Sequence, residues 1–328
     1  MQAKIDRKDH LLESVKNKYD PTTHMAKTEF RLTPPFLAKV FLITTKVQMY
    51  LLQFTLGFAF FFLLTRLMYT ISHNKVITFF VTASFGFLYT GYSFFSEILG
   101  YFDCFAFLFL LVAILDTSIF IMAISLFLAF WTDERAIVSS LLILFWWQYK
   151  QLTLANKNFF VPAKQSCVII LVVVTYFAIR YYLITNFGFQ NQFKGSSFSV
   201  LKDTINYYGL TVWQMFEGFW LIVLYAFYKL LKDRKIIIAL FFVLINLMLF
   251  VSSLCIYDNS RSIAYAFPSI IISFYIIKDA IDLRKMSSIA LLFCFIFPSY
   301  FYICGAAVTR HDPFYFRILN KIINTKTT

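Results

Sequence analysis

The sequence is poor in the residues and motifs on which soluble enzymes depend. Only 14% of its 328 residues are charged, and it has just 9 Gly and 7 Pro, whereas an ordinary soluble domain is about 25% charged. It contains no Gly-rich phosphate loop, no His-Glu-x-x-His zinc motif and no nucleophile elbow. The templates of soluble NTPases, zinc proteases and α/β-hydrolases are therefore not supported.

Cysteine is also scarce, and its spacing carries no signal. The five cysteines lie in or beside apolar runs, without the paired spacing of a disulfide framework or a metal knuckle. We interpret them as small core residues. The sequence thus predicts no metal site and indicates no particular cofactor.

What the sequence has in abundance is apolar side chains. It is 60% hydrophobic and 21% aromatic, with a mean hydropathy of +0.70. This composition predicts a membrane protein in contact with lipid. The formal charge of +13 resides in Lys and Arg of the short loops between apolar runs, where membrane orientation explains it better than nucleic acid does. No nucleic-acid partner is predicted.

Ten apolar runs approach the length of about 20 residues that crosses a bilayer. We predict an all-α bundle of about 8–10 transmembrane spans with short central hairpins. The third to fifth runs are short, so the ten could be eight spans plus a re-entrant pair. The runs are 47–68, 76–95, 98–115, 117–131, 136–147, 166–185, 210–231, 236–257, 262–277 and 287–305.

The composition divides the chain into three regions. Residues 1–46 are a polar N-terminal segment that ends in an interfacial helix, 47–305 form the transmembrane domain, and 306–328 are a C-terminal tail. Within the first region, Thr33 followed by Pro34 and Pro35 predicts a helix start with Thr33 as its cap.

Lys and Arg are unequally shared between alternate connections. One set of connections contains twelve of them and the other four, and the richer set is expected in the cytoplasm. This orientation places the N-terminal segment and the loops 132–135, 186–209 and 258–261 on the outer side. Residues 1–27 of the N-terminal segment contain six Lys and Arg, and this positive charge argues against an outer location for the segment.

Charged residues between apolar runs are the strongest indication of a site, because each costs about 2.5–3.5 kcal/mol near the bilayer centre. The most conspicuous group is Trp131-Thr-Asp-Glu-Arg-Ala136. An alternative is that this segment is a hairpin loop that reaches water, with Arg135 neutralising one neighbour. Asp103, likewise, could be an ordinary charge at a helix end.

Further polar residues are predicted on the same outer face. Asp258 and Arg261 close another hairpin, and their i,i+3 spacing also suits a simple loop-closing pair. Glu217 lies inside its apolar run at a depth similar to that of Arg180 on the preceding helix. We expect these two to pair, either for packing or as part of a site.

Five segments carry a resemblance to a known superfamily. They are Tyr19-Asp-Pro-Thr-Thr-His24, Phe30-Arg-Leu-Thr-Pro-Pro35, Gly100-Tyr-Phe-Asp103, Thr132-Asp-Glu-Arg-Ala136 and Asp258-Asn-Ser-Arg261. With these segments the chain resembles the GT-C integral-membrane glycosyltransferases, which use lipid-linked sugars. The resemblance implies transfer of a sugar from a polyprenyl-phosphate donor to an envelope glycan or lipid acceptor on the extracytoplasmic face of a bacterial inner (plasma) membrane.

The resemblance and the placement of charges together suggest site residues. Asp20 falls where the family keeps the catalytic acid of its first loop, and Asp103 and Asp133 follow by placement as general bases. The expected substrate-binding residues are His24, Arg31, Glu134, Arg135, Glu217, Asp258 and Arg261.

Two other classes of function fit the same polar residues. A transporter or flippase for a lipid-linked or anionic solute would also use intramembrane Arg and Glu. A non-catalytic membrane partner of an envelope complex would have polar loops that tolerate substitution.

The orientation leads to a labelling prediction. In a variant without native cysteines, Asp233→Cys should resist an impermeant thiol reagent in intact cells, because the Lys229–Lys235 loop is cytoplasmic. Glu134→Cys, in an outer loop, should react. Labelling of position 233 in intact cells would overturn the orientation.

Overall fold

A computed structural model describes residues 30–96, 102–115, 117–155, 158–187, 189, 200–201, 208–256 and 258–297, and the backbone of 300–303 and 307–310. In this part of the chain, helices make up nearly all of the regular structure, with one short antiparallel β-hairpin. The all-α class predicted from the apolar runs is confirmed.

The helices are numbered in chain order. They are α1 (Thr33–Val40), α2 (Lys46–Ser72), α3 (Lys75–Phe85), α4 (Tyr89–Ser96), α5 (Asp103–Leu115), α6 (Ile119–Thr132), α7 (Arg135–Ala155), α8 (Lys164–Phe187), α9 (Tyr208–Phe216), α10 (Trp220–Lys232), α11 (Ile236–Leu254), α12 (Asn259–Ile263), α13 (Pro268–Ile277) and α14 (Leu283–Ile296). Short 3-10 turns at Glu217–Phe219 and Ala264–Ala266 join α9 to α10 and α12 to α13. Strands β1 (Tyr300–Ile303) and β2 (Ala307–Arg310) pair antiparallel.

Five helical segments of the described chain are long and apolar enough to cross a membrane: Lys46–Ser72, Lys164–Phe187, Tyr208–Lys232, Ile236–Leu254 and Asn259–Ile277. Helices α3 and α4, bent by 61° at their junction, make a sixth if they count as one broken span. Helices α5 and α6 are shorter apolar helices that pack against each other, in agreement with the predicted short central hairpin. The protein is thus a multi-pass membrane protein.

Two predicted runs differ clearly in length from the helices that the structure shows. The run 136–147 continues as a helix to Ala155, and polar residues in this extension have hydrogen-bond partners. The side-chain oxygen of Gln148 accepts the backbone N–H of Ala163 at 2.9 Å. The run 287–305, by contrast, ends as a helix at Ile296 and is followed by the β-hairpin.

The expected cap of α1 is also corrected. Thr33 is the first helical residue rather than the cap, and Leu32 precedes it. The Thr33 hydroxyl donates to the carbonyl of Leu128 at 2.7 Å. Thr33 therefore ties α1 to α6 instead of capping its own helix.

Basic loops gather at one end of the bundle. The ammonium groups of Lys150, Lys235 and Lys278 lie between 4.8 and 5.6 Å from the centres of aromatic rings contributed by α7 and α13. Arg135 begins α7, and at 1.5 Å per residue it lies about 22 Å from Lys150 along the helix. The charged group around Arg135 and these basic loops therefore occupy opposite ends of the bundle.

The junction between α3 and α4 leaves no room for a side chain at Gly91. A Cβ atom there would collide with the backbone carbonyl of Phe85. Because of this close approach, the start of α4 reaches the middle of the bundle, and the Thr90 hydroxyl donates to the carbonyl of Ala264 at 3.4 Å.

A glycine substitution tests this packing. Gly91→Ala should destabilise the protein by about 1–3 kcal/mol, since the added methyl group forces backbone apart. The matched control is Gly209→Ala on α9, where a Cβ has nothing within 4 Å and alanine favours the helix. Melting temperatures in detergent should fall for the first variant and hold or rise for the second; equal values would contradict the packing.

Candidate functional site

Asp103, the first residue of α5, is the centre of a buried charge network. Its carboxylate accepts hydrogen bonds from Nη2 of Arg135 at 2.8 Å and from Nε and Nη2 of Arg261 at 2.6 and 3.0 Å. The Tyr89 hydroxyl donates a fourth at 3.0 Å. The side chain of Asp103 is completely shielded from solvent. Since a carboxylate has about four acceptor sites, these donors saturate it.

Asp133 forms a second saturated centre in the connection between α6 and α7. Its oxygens accept from Nε and Nη2 of Arg135 at 2.7 and 2.6 Å and from the backbone N–H of the same residue at 3.0 Å. Nη2 of Arg31 lies 2.9 Å from the second oxygen. The guanidinium of Arg135 thus bridges Asp103 and Asp133.

The electrostatics keep Asp133 ionised. Burial raises its pKa, but the positive charges of Arg135 and Arg31 outweigh burial and hold the pKa well below the ordinary aspartate range. Because the pKa is depressed in the fold, ionised Asp133 stabilises the protein at pH values above about 4, the aspartate pKa of the unfolded chain. This contribution is lost as the pH falls below that value.

Helix α12 completes the network. Nη1 of Arg261 donates to Asp258 at 2.8 Å, which confirms the predicted loop-closing pair, while its other nitrogens reach Asp103. Nη1 of Arg135 donates to the Ser262 hydroxyl at 3.0 Å. The buried network comprises Asp103, Asp133, Asp258, Arg31, Arg135 and Arg261. Its three carboxylates and three guanidiniums sum to a formal charge of zero.

An exposed rim adjoins the buried network. The Glu134 side chain, 46% exposed, accepts from Nη1 of Arg180 at 2.8 Å. The same nitrogen donates to the Tyr176 hydroxyl at 2.7 Å, and the guanidinium lies 4.3 Å from the ring centre of Phe30. Arg31, next to Phe30 in sequence, is 23% exposed. We call Arg31, Glu134 and Arg180 the rim.

The structure brings together most of the predicted site residues. Those that meet in the network and the rim are Arg31, Asp103, Asp133, Glu134, Arg135, Asp258 and Arg261. Asp20 and His24 lie outside the described residues. The reading of 132–135 as a loop that reaches water holds for Glu134 alone, because Asp133 is buried. Arg135 does neutralise its neighbour, as that reading required.

Glu217 has a different setting from the one predicted. Arg180 pairs with Glu134, whereas Glu217 is buried at the start of the 3-10 turn that packs against α14. Its φ of 47° is in the left-handed region. The adjacent Gly218 lies so close to Ala290 of α14 that a Cβ would collide with its carbonyl. Glu217 thus marks a break in the span Tyr208–Lys232.

Sequence reasoning missed three polar partners. Tyr89 and Tyr176 hold Asp103 and Arg180, but a tyrosine in an aromatic-rich membrane protein looks like any other interfacial ring. Ser262 could have been found, since it directly follows the Asp258-Asn-Ser-Arg261 segment.

The chemistry of the site is that of carboxylates and guanidiniums. Among the described residues, no group of three or more His, Cys, Asp or Glu could hold a metal ion. Cys104 and Cys294 are buried, as expected of core residues, whereas Cys167 is exposed. Proton transfer and anion binding are therefore the chemistry that these residues offer.

Comparison with known proteins places the chain in no family. No protein-family model, no curated protein and no solved structure matches it. The network and the rim are the features that bear on its function, and the resemblance to GT-C glycosyltransferases stays a prediction.

The network predicts a strong dependence of stability on Asp103. Asp103→Asn should destabilise the protein by about 3–5 kcal/mol, because it leaves the buried Arg135 and Arg261 without a shared counter-charge. The control is Asp282→Asn, which removes the solvent-exposed pair with Lys285 and should change stability little. Thermal melting in detergent separates the two; equal melting temperatures would mean that the buried network contributes nothing to stability.

Proposed function

We propose that the protein is a membrane glycosyltransferase that moves a sugar from a polyprenyl-phosphate donor to an envelope glycan or lipid acceptor on the extracytoplasmic face. The supporting observation is a charge-neutral buried network with an accessible carboxylate and two arginines at its rim, at the end of the bundle opposite the basic loops. Such a transfer needs a base for the acceptor hydroxyl and cations for the leaving phosphate.

The buried aspartates are suited to positioning. Four donors occupy each carboxylate of Asp103 and Asp133, and the low pKa of Asp133 makes it a weak base. For either to accept a proton, as first predicted, the network would have to open. In the closed arrangement they hold the guanidiniums of Arg135 and Arg261 rigidly.

The anion-binding role falls to the rim. Arg135 and Arg261 already donate to carboxylates within the protein, and Arg135 also donates to the Ser262 hydroxyl. Nη2 of Arg31 is anchored by Asp133, and the side chain is 23% exposed, so Arg31 is both oriented and partly accessible. The planar fork of arginine matches a phosphate group better than lysine does. Arg31 is accordingly the proposed contact for the donor phosphate, and Arg180 orients Glu134.

Two carboxylates are candidates for the general base. Glu134 has a side-chain exposure of 46%, against 19% for Asp258, and it adjoins Asp133 in the chain. Asp20 is favoured by the family resemblance and lies ten residues before Phe30 in sequence. The base is therefore proposed to be Glu134 or Asp20, with His24, Asp258 and Glu217 as further substrate-binding candidates.

A transporter is the second candidate, and broken helices favour it. The pair α3 and α4 is bent by 61°, and the span Tyr208–Lys232 is interrupted at Glu217, a buried ionisable residue. Interrupted helices beside ionisable groups are typical of solute sites in transporters.

Turnover of purified variants with synthetic polyprenyl-phosphate sugars tests the proposal. Either Glu134→Gln or Asp20→Asn should lose about 10²–10⁴-fold in turnover while the melting temperature is unchanged. Arg31→Lys should impair donor use, since it loses the fork geometry. Asp282→Asn serves as the exposed control.

The same assays can reject the proposal. If both carboxylate variants and the arginine variant keep full turnover, the assignment of the rim is wrong. If the wild-type protein transfers no sugar from any lipid donor but moves one across liposomes, the transporter takes its place.

A further inference from the structure

A groove of about 520 Å³ runs between α2 and α3. Its walls include Phe61, Thr65 and Tyr69 of α2 and Lys75 and Thr82 of α3. Lys75 begins α3, so the groove starts at the end of α3 opposite its junction with α4, and it is beyond this junction that Tyr89 contacts Asp103.

The groove is elongated along the helices. Along α2 it extends from Phe61 to Tyr69, and along α3 from Lys75 to Gly86. At 1.5 Å per residue, these stretches correspond to about 12 and 16 Å. Its length along the helix axes suits an extended hydrocarbon chain.

The lining is apolar along its length and basic at one end. The hydroxyl of Thr65 donates to the carbonyl of Phe61 at 2.7 Å, and that of Thr78 to Asn74 at 2.9 Å, so the threonines present mainly methyl groups to the groove. Lys75 is exposed and has no carboxylate partner among the described residues. The groove therefore combines a hydrocarbon surface with one positive charge.

The groove opens toward lipid. Phe62 and Phe79, on the outer faces of α2 and α3, are 69% and 64% exposed on helices that belong to membrane spans. The charge count places the Lys75 end on the cytoplasmic side, where basic pockets between transmembrane helices bind anionic headgroups.

We propose that the groove binds an acyl chain of an anionic phospholipid whose phosphate contacts Lys75. The hydrocarbon chain fills the length between Phe61 and Gly86, and the ammonium at the end selects a negative headgroup. This site is separate from the rim and does not depend on the proposed glycosyltransferase activity.

Native mass spectrometry of the full chain from nanodiscs tests this site. In phosphatidylglycerol discs the wild-type protein should retain one lipid, and in phosphatidylcholine discs none. Thr82→Phe should abolish retention because the ring fills the groove, with Thr55→Phe on the exposed face of α2 as control. Lys75→Gln should weaken retention about fivefold, with Lys164→Gln as its control.

Several outcomes would overturn the assignment. Equal retention of phosphatidylcholine and phosphatidylglycerol would mean that no headgroup is selected. Retention unchanged by Lys75→Gln would remove the phosphate contact, and this variant decides the matter even if Thr82→Phe fails to fold. Displacement of phosphatidylglycerol by equimolar polyprenyl phosphate would make the groove a donor-lipid site instead.

Discussion

The structure depends on the pairing of six charges that are largely removed from water. An isolated ionised side chain inside a membrane protein is strongly unfavourable, and partners and hydrogen bonds must offset its lost hydration. Asp103 and Asp133 achieve this by saturating their oxygens with guanidinium donors. Because Arg135 and Arg261 come from α7 and α12, the ends of these helices must meet the start of α5, and this meeting sets the arrangement of the bundle.

The side chains of the network are held rigidly, whereas those of the rim are partly accessible to solvent. Donors fixed by surrounding contacts need no reorganisation when a charged substrate binds, which is the main advantage of a preorganised site. Arg31 joins both parts, since Asp133 anchors it while its side chain is 23% exposed. Glu134, one residue beyond Asp133, is held by Arg180 and yet accessible. This division is what the proposed transfer from an anionic lipid donor to a hydroxyl acceptor would require.

Two interrupted helices, at the α3–α4 junction and at Glu217, bring backbone segments into close contact. The bend after α3 turns the chain so that Tyr89 reaches Asp103, and the close approach at Gly91 leaves no space for a side chain. The break at Glu217 presses the Glu217–Phe219 turn onto α14. In each case a backbone carbonyl occupies the place of a Cβ atom, so glycine is required by packing. The same bundle leaves the groove between α2 and α3 open at its outer surface.

Local patterns in the sequence determined the membrane setting, the positions of most helices and the segments that carry charge. Apolar runs predict helices because a segment that crosses lipid is apolar and helical over about 20 residues. The i,i+3 spacing of Asp258 and Arg261 predicts an ion pair because both residues lie on one helical turn. Tertiary structure alone decided that Arg261 reaches Asp103, 158 residues away, and that Arg180 meets Glu134 rather than Glu217. Such partners depend on which helix ends come together in space, and periodicity within a single run contains no information about that.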